Sequence, residues 1–246
     1  MRYIVVGDIH GCLDELHRLV QEVAPERGDR FVFLGDLVDR GPDSVGVVQL
    51  VADLLGKLPG SACVAGNHEE KALRANKQGK ILEPWHESMK PADWAFIGSL
   101  PLIHRFSGMI AVHGGLMPGF FRDHPEGIGE VPAAWHKGGG KKGERMRRFL
   151  RLRTVNAQGD FVALDQETPE CAHWSSRYEG QEGFAFYGHE PGSEVVTEAH
   201  AMGLDTGCVF GGKLTAAIIP EGGNARNCSF VQVNARRAYA EHRSEE

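Results

Sequence analysis

The sequence predicts an α/β fold in which a largely parallel sheet, covered on both faces, packs against a second, mixed sheet. Three observations carry this. The short strand-like runs of the first third are apolar throughout instead of alternating, which marks burial on both faces. They alternate with segments of helical period. Beyond residue 100, further apolar runs follow one another across glycine-rich turns with no long helix between most of them.

Tyr3–Gly7 is short, apolar and β-branched and reads as the first strand. Cys12–Val23 follows, with Leu13, Leu16, Leu19, Val20 and Val23 at helical spacing. Phe31–Leu34 is the second strand. Pro42 then opens a helix running to about Gly56, with Asp43 and Ser44 in its first turn. Ser61–Ala65 is the third strand, and a polar helix from His68 to about Asn76 comes after it. In the second half, Leu102–His104, Met109–Val112, Ala185–Gly188, Ala201–Asp205, Leu214–Ile219 and Phe230–Val233 read as strands of the second sheet. Residues 120–160 are irregular and read as an insertion or cap, and the charged tail Arg236–Glu246 as a frayed helix. No repeat or linker interrupts the chain, so residues 1–246 are expected to form a single domain.

The 246 residues suffice for a sizeable core, and 41% apolar with 24% charged residues is ordinary for a globular chain. A net charge of −6 argues against general nucleic-acid binding, which relies on neutralising phosphates. The cysteines Cys12, Cys63, Cys171, Cys208 and Cys228 are scattered and contain no CxxC pair, the pattern of reduced thiols in a cytoplasmic protein. Neither a signal peptide nor a membrane-length apolar run is visible, so no membrane partner is expected. The glycosylation-like Asn227-Cys228-Ser229 then reads as accidental.

Five short motifs stand where strands end: Gly7-Asp8-Ile9-His10-Gly11, Gly35-Asp36-Leu37-Val38-Asp39-Arg40-Gly41, Gly66-Asn67-His68-Glu69, His113-Gly114-Gly115 and Gly188-His189. Open α/β sheets build their sites in such loops, outside the carboxyl ends of strands. One such loop is usually structural; five carrying oxygen and nitrogen ligands point to a metal centre. Asp, His and Asn without cysteine suit Mn, Fe, Zn, Co or Ni rather than softer ions. Asp8 and His10 can hold one ion, Asn67, His113 and His189 a second, and Asp36 is the natural bridge. Two divalent cations, two carboxylates and one bridging hydroxide leave the centre at +1, attractive to a phosphate dianion. Such a pair of ions, about 3.5–4 Å apart, acidifies the shared water, which attacks phosphorus directly. Arg40 offers a planar fork to the phosphate oxygens. His68, kept charged by Asp39, is placed to protonate the leaving oxygen. Glu69 is expected behind the ligands.

These motifs resemble the phosphoprotein phosphatase family of calcineurin-like metallophosphoesterases, in its compact bacterial and phage form. The resemblance runs from Tyr3 to about Pro220. Gly203-Leu204-Asp205-Thr206-Gly207-Cys208-Val209-Phe210-Gly211-Gly212-Lys213-Leu214-Thr215 also looks like these relatives, among them diadenosine tetraphosphatases, phage protein phosphatases and the phosphatase module of bacterial RNA-repair enzymes. Membership implies a β-sandwich of two mixed sheets flanked by helices, often loaded with Mn. It implies Asp8, His10, Asp36, Asn67, His113 and His189 as ligands, with Arg40, Asn67 and His68 on the phosphate. A second phosphate-binding arginine is expected before the last histidine, and Arg177 is the candidate. Asp39-Arg40 and Glu69 follow the protein-phosphatase pattern, so the leading expectation is hydrolysis of phosphomonoesters, including phosphoserine and phosphothreonine in proteins. The Leu204–Thr215 stretch and the small size favour the alternative, a bis(5'-nucleosyl)-tetraphosphatase or polyphosphatase acting on a small phosphorylated or nucleotide substrate. An inactive phosphate-binding scaffold is a remote third.

Gly138-Gly139-Gly140-Lys141-Lys142-Gly143 lacks the GxxxxGK[ST] spacing of a phosphate loop and follows no apolar strand. It opens a basic run instead. Lys137, Lys141, Lys142, Arg145, Arg147, Arg148, Arg151 and Arg153 face a single acid, Glu144. This reads either as a solvated helix or as a cap that recruits polyanions. His17, His86, His104, His124, His136, His173, His200 and His242 lie outside the motifs and read as structural or surface residues.

Overall fold

The computed structural model describes residues 1–129, 131, 135–137 and 140–241. The tail beyond residue 241, with His242, and the side chains of Lys137, Lys141, Lys142 and Arg145 in the basic run lie outside the described residues.

The chain opens with β1 (Arg2–Val6), α1 (Leu13–Val23), β2 (Arg30–Phe33), α2 (Ser44–Lys57), β3 (Ala62–Cys63) and α3 (Asn67–Lys77). Two helices, α4 (Trp85–Ser88) and α5 (Pro91–Ser99), lead to β4 (Ile103–Phe106) and β5 (Met109–Val112). Helices α6 (Pro118–Asp123) and α7 (Gly140–Arg151) and strands β6 (Thr154–Val155) and β7 (Ala172–His173) precede β8 (Phe184–Tyr187). The chain then forms β9 (Val196–Thr197), β10 (Ala201–Gly203), β11 (Lys213–Pro220) and β12 (Ser229–Asn234).

Two mixed five-stranded sheets result, ordered β12-β11-β1-β2-β3 and β4-β5-β8-β10-β9. Strand β1 runs parallel to β2 and antiparallel to β11, so both its edges are paired. Its side chains divide by the strand period of two. Ile4 and Val6 join the layer under α1 and α2, with Leu16, Leu19, Val47 and Val51. Tyr3 and Val5 join the layer between the sheets, with Phe106, Ala111, Phe186 and Met202 from the second sheet. A strand that supplies both layers must be apolar at every position, and each fully buried side chain contributes about 1.5–3 kcal/mol.

The structure departs from the sequence expectations in four places. Strands β11 and β12 complete the first sheet, not the second, because β1 needs a partner on its other edge and the C-terminal hairpin supplies it. Helices α4 and α5 occupy a stretch whose prolines masked them; Pro91 sits in the first turn of α5, where its missing N–H costs nothing. Residues 120–160 contain α7, whose Phe149 and Leu150 are buried. The tail through residue 241 forms a strap, not a helix, bridged from Ala238 to Phe210.

Candidate metal centre

Strands β1, β2 and β3 are mutually parallel, as are β5, β8 and β10, so their carboxyl ends gather at one edge of the sandwich. Asp8, Asp36, Asn67, His113, His189 and Asp205 all follow such ends. Each of them is at least nine-tenths buried. Among the described residues, the non-glycine positions with positive φ include His10 (46°), Asp36 (47°), Asp39 (68°), Arg40 (69°) and His189 (73°). Such backbone costs free energy and persists where the surroundings over-determine it, which is a mark of built sites.

Asp36 is the hub. Its Oδ2 lies 3.4 Å from His10 Nε2, 3.3 Å from His113 Nε2 and 3.9 Å from His68 Nε2. His10, Asp36 and His68 form one cluster of metal-compatible donors, and Asp36, His113 and His189 another. Asn67 Oδ1 sits 2.8 Å from His113 Nε2. Asp8 Oδ2 accepts the His189 backbone N–H at 3.0 Å, whereas its Oδ1 is buried without a hydrogen-bond partner among the described residues. The imidazoles are aimed from behind: Nδ1 of His10 lies 2.8 Å from the Val38 carbonyl and Nδ1 of His113 2.8 Å from that of Leu34. This leaves each Nε2 to face the cluster, the arrangement that orients metal-ligating histidines.

Glu69 organises the bridge loop. Its carboxylate accepts the N–H groups of Asp36 (2.9 Å), Leu37 (2.8 Å), Val38 (3.3 Å) and Gly66 (2.7 Å). Two of the motif glycines press directly on the carboxylates. A Cβ on Gly66 would collide with Asp36 Oδ1, and one on Gly188 with Asp8 Oδ1.

The charges call for cations. Burial, with Asp205 and Asp36 nearby, pushes Asp8 well above the carboxylate range. Burial likewise raises Glu69 to about 7 and Asp205 to about 6. Burial opposes the charge on Asp36, but the fields of His113 and His68 prevail and hold it well below that range. Burial lowers His10 to about 3, which keeps its imidazole neutral, the form a metal needs. Converging buried carboxylates, an Asp8 oxygen with no hydrogen-bond partner among the described residues and the neutral imidazole of His10 together fit hard or borderline divalent ions.

The remaining expected residues stand as follows. Arg40 places a guanidinium nitrogen 3.0 Å from His10 Nε2 and lies over the Phe210 ring at 5.4 Å. His68 Nδ1 is 2.7 Å from Asp39 Oδ2, and the other Asp39 oxygen accepts the Trp85 indole N–H at 2.9 Å. Arg177 is engaged elsewhere: its guanidinium donates to the carbonyls of Asn156 (3.1 Å) and Glu170 (2.8 Å). The arginines beside His189 are Arg151 and Arg153, which with Phe161, Val162, Leu164 and Asp165 line a cavity of about 580 Å³. Arg151 also pairs with Glu70 at 3.0 Å, tying α7 to α3. Sequence reasoning passed over Asp205, Trp85 and Phe210 as site residues, whereas Arg151 and Arg153 belong to the basic run for which a cap that recruits polyanions is one of two readings. Asp205 carried the same signal as the five motifs, a strand end with glycines around it; the indole of Trp85 carried none.

A family model for the calcineurin-like phosphoesterases matches residues 1–193. The asymmetrical bis(5'-nucleosyl)-tetraphosphatase PrpE of Oceanobacillus iheyensis is 29% identical over 97% of this chain and 94% of its own. The crystal structure of a candidate diadenosine tetraphosphatase superposes with a TM-score of 0.70 at 29% identity, covering 95% of this chain and 93% of that one. A Saccharomyces cerevisiae protein serine/threonine phosphatase superposes with a TM-score of 0.62 at 18% identity, covering 99% and 81%, a likeness of fold alone.

Proposed function

The chain belongs to the calcineurin-like phosphoesterases, hydrolases of phosphoester or phosphoanhydride bonds, and we propose that it cleaves dinucleoside tetraphosphates asymmetrically, between the first and second phosphates. The observation that carries this is the cavity of about 580 Å³ that borders His189. Arg151 and Arg153 supply cationic wall, and Phe161, Val162 and Leu164 supply apolar wall. A phosphoserine side chain would leave such a space unused, whereas a nucleotide needs room for charged phosphates and an apolar base. Whole-length similarity to a protein named for this activity supports the same reading. It moves phosphoprotein hydrolysis, the leading expectation from sequence, to second place.

When bound, two divalent ions, Mn foremost, supply Lewis-acid polarisation of the phosphoryl oxygens and acidify the attacking water. Asp8 and His10 would hold one ion, Asn67, His113 and His189 the other, and Asp36 both. Arg40 presents its planar fork to the oxygens of the reacting phosphate. His68, oriented through Nδ1 by Asp39, delivers the Nε2 proton to the leaving oxygen. Arg151 and Arg153 hold the phosphates beyond the scissile bond, and the apolar wall receives the base.

The test is product analysis. Mn-loaded protein given diadenosine tetraphosphate should release AMP and ATP. Two molecules of ADP, or a phosphopeptide turned over faster than the dinucleotide, would overturn the reading.

A further inference from the structure

Beneath the start of α1 lies a second cluster of ligand-type side chains that phosphoester hydrolysis does not use. Cys12, Glu15 and Cys208 are 0%, 0% and 2% exposed, and their donor atoms all lie within 4.8 Å of one another. The two thiols come from opposite ends of the chain, brought together because the first sheet pairs β1 with β11.

Glu15 indicates what the cluster can take. Its Oε1 accepts the Arg236 backbone N–H at 3.0 Å and the Tyr239 hydroxyl at 3.0 Å, with an Arg18 guanidinium nitrogen at 3.4 Å. Its Oε2 is buried and has no hydrogen-bond partner among the described residues. An unpaired buried carboxylate oxygen is costly. Here it belongs to the same three-donor cluster as two sulfurs, an environment that favours a thiophilic cation.

We propose that Cys12, Cys208 and Glu15 form a third metal site, separate from the dinuclear centre and selective for a thiophilic divalent cation of the zinc class.

Donor chemistry supports the class. Two thiolates and a carboxylate suit zinc, whereas the oxygen and imidazole ligands of the dinuclear centre suit harder ions. In a tetrahedral zinc site, metal–sulfur bonds of about 2.3 Å place sulfurs about 3.8 Å apart. A closure of up to about 1 Å would therefore bring the three donors into range. A divalent ion with three anionic ligands carries −1, and the Arg18 guanidinium on Glu15 offsets it. The ion binds as the two thiol protons leave; no redox step is involved.

The door is the C-terminal strap. It lies over the cluster through Tyr239 and Ala240, whose N–H groups donate to the Val209 carbonyl at 2.8 and 3.2 Å. Binding would fasten the turn two residues beyond His10 and the first turn of α1 to the turn three residues beyond Asp205, beneath the strap that hydrogen-bonds to Glu15. A disulfide between the thiols is the rival use. It suits the site less, because a disulfide would consume both sulfurs and leave Glu15 Oε2 still buried without a hydrogen-bond partner among the described residues.

The experiment titrates the reduced, Mn-loaded full chain with Cd²⁺. A thiolate-to-cadmium charge-transfer absorption distinguishes thiol sites from the dinuclear centre, whose ligands contain no sulfur, and the cysteine variants assign it among the thiols. One equivalent of Cd²⁺ should saturate the band, and Zn²⁺ should compete it away. The band should survive in Cys171→Ser and vanish in Cys208→Ser. Glu15→Gln should weaken Cd²⁺ binding at least about tenfold, the loss that even an outer-shell change typically brings. Should Cys208→Ser fail to fold, Glu15→Gln and the zinc competition decide. Absence of the band, its survival at full affinity in folded Glu15→Gln, or a chain two hydrogens lighter that takes up no metal would overturn the proposal.

Discussion

Trp85, Asp39 and His68 form a relay of hydrogen bonds of 2.9 and 2.7 Å that ends with the His68 ring turned toward Asp36. If His68 protonates the leaving oxygen, His68→Asn should lower kcat about 10²–10⁴-fold on a dinucleotide, as loss of a general acid does. The loss on p-nitrophenyl phosphate should be far smaller, because p-nitrophenolate departs without a proton. Equal losses on both substrates would count against the acid role. Trp85→Phe, which keeps the apolar bulk and deletes one donor, should give a milder loss with the same substrate dependence. At Gly188 the constraint is steric. A methyl group there meets the Asp8 oxygen, so Gly188→Ala should reduce bound Mn along with activity, as metal analysis of the purified variant would show.

At the scale of elements, β1 carries the fold, and its first residue is anchored to the turn before β2. Asp29 accepts the Arg2 backbone N–H at 2.8 Å and its Nε at 3.1 Å, and also the Glu26 N–H at 2.9 Å. Burial opposes the charge, but the Arg2 and Glu26 hydrogen bonds outweigh it and hold Asp29 below the usual carboxylate range. A depressed folded-state pKa stabilises above the unfolded value, about 3.9, and that stability is lost as pH falls through the folded value. Asp29→Asn should therefore cost about 1–3 kcal/mol at pH 7 in denaturant unfolding, with the gap to wild type closing below about pH 4. A gap independent of pH would show that packing, not the ion pair, holds this corner. Helix α7 is tied at its far end by Arg151 to Glu70, the residue after Glu69, so the basic segment and the bridge loop are fixed to the same helix α3.

For the whole molecule, a chain of net charge −6 places two arginines beside His189 in one cavity. Replacing Arg151 and Arg153 by alanine should harm diadenosine tetraphosphate more than p-nitrophenyl phosphate. Each contact at this partly open cavity contributes on the order of 0.2–1 kcal/mol, so kcat/KM for the dinucleotide should fall about tenfold. The deficit should shrink as salt shortens the Debye length from about 10 Å at 0.1 M to about 3 Å at 1 M. A small, salt-insensitive loss on every substrate would return α7 to a merely solvated helix. Metal removal acts on the same centre. Chelation should lower both activity and Tm, since ions bound only by the folded state stabilise it by mass action. Added Mn should restore both; full activity without metal would refute the dinuclear reading.

The local sequence determined what depends on neighbours along the chain. Buried strands announced themselves by unbroken apolar runs at Tyr3–Val6 and Phe31–Leu34, helices by spacing, and Asp8, His10, Asp36, Asn67, His113 and His189 by their place after such runs. Parallel pairing then brings those strand ends to one edge, because side chains at the ends of parallel strands have nowhere else to converge. Tertiary structure alone decided what depends on partners distant in the chain. The C-terminal hairpin could have joined either sheet, and the open edge of β1 selected the first. Arg177 and Arg153 are equally basic on paper. The carbonyls of Asn156 and Glu170 claim the first, while the second lines the cavity beside His189. Trp85 reaches Asp39 across 46 residues, and Cys12 meets Cys208 across nearly the whole chain. Such meetings are set by how sheets and helices pack, and packing is a property of the assembled core that no local window contains.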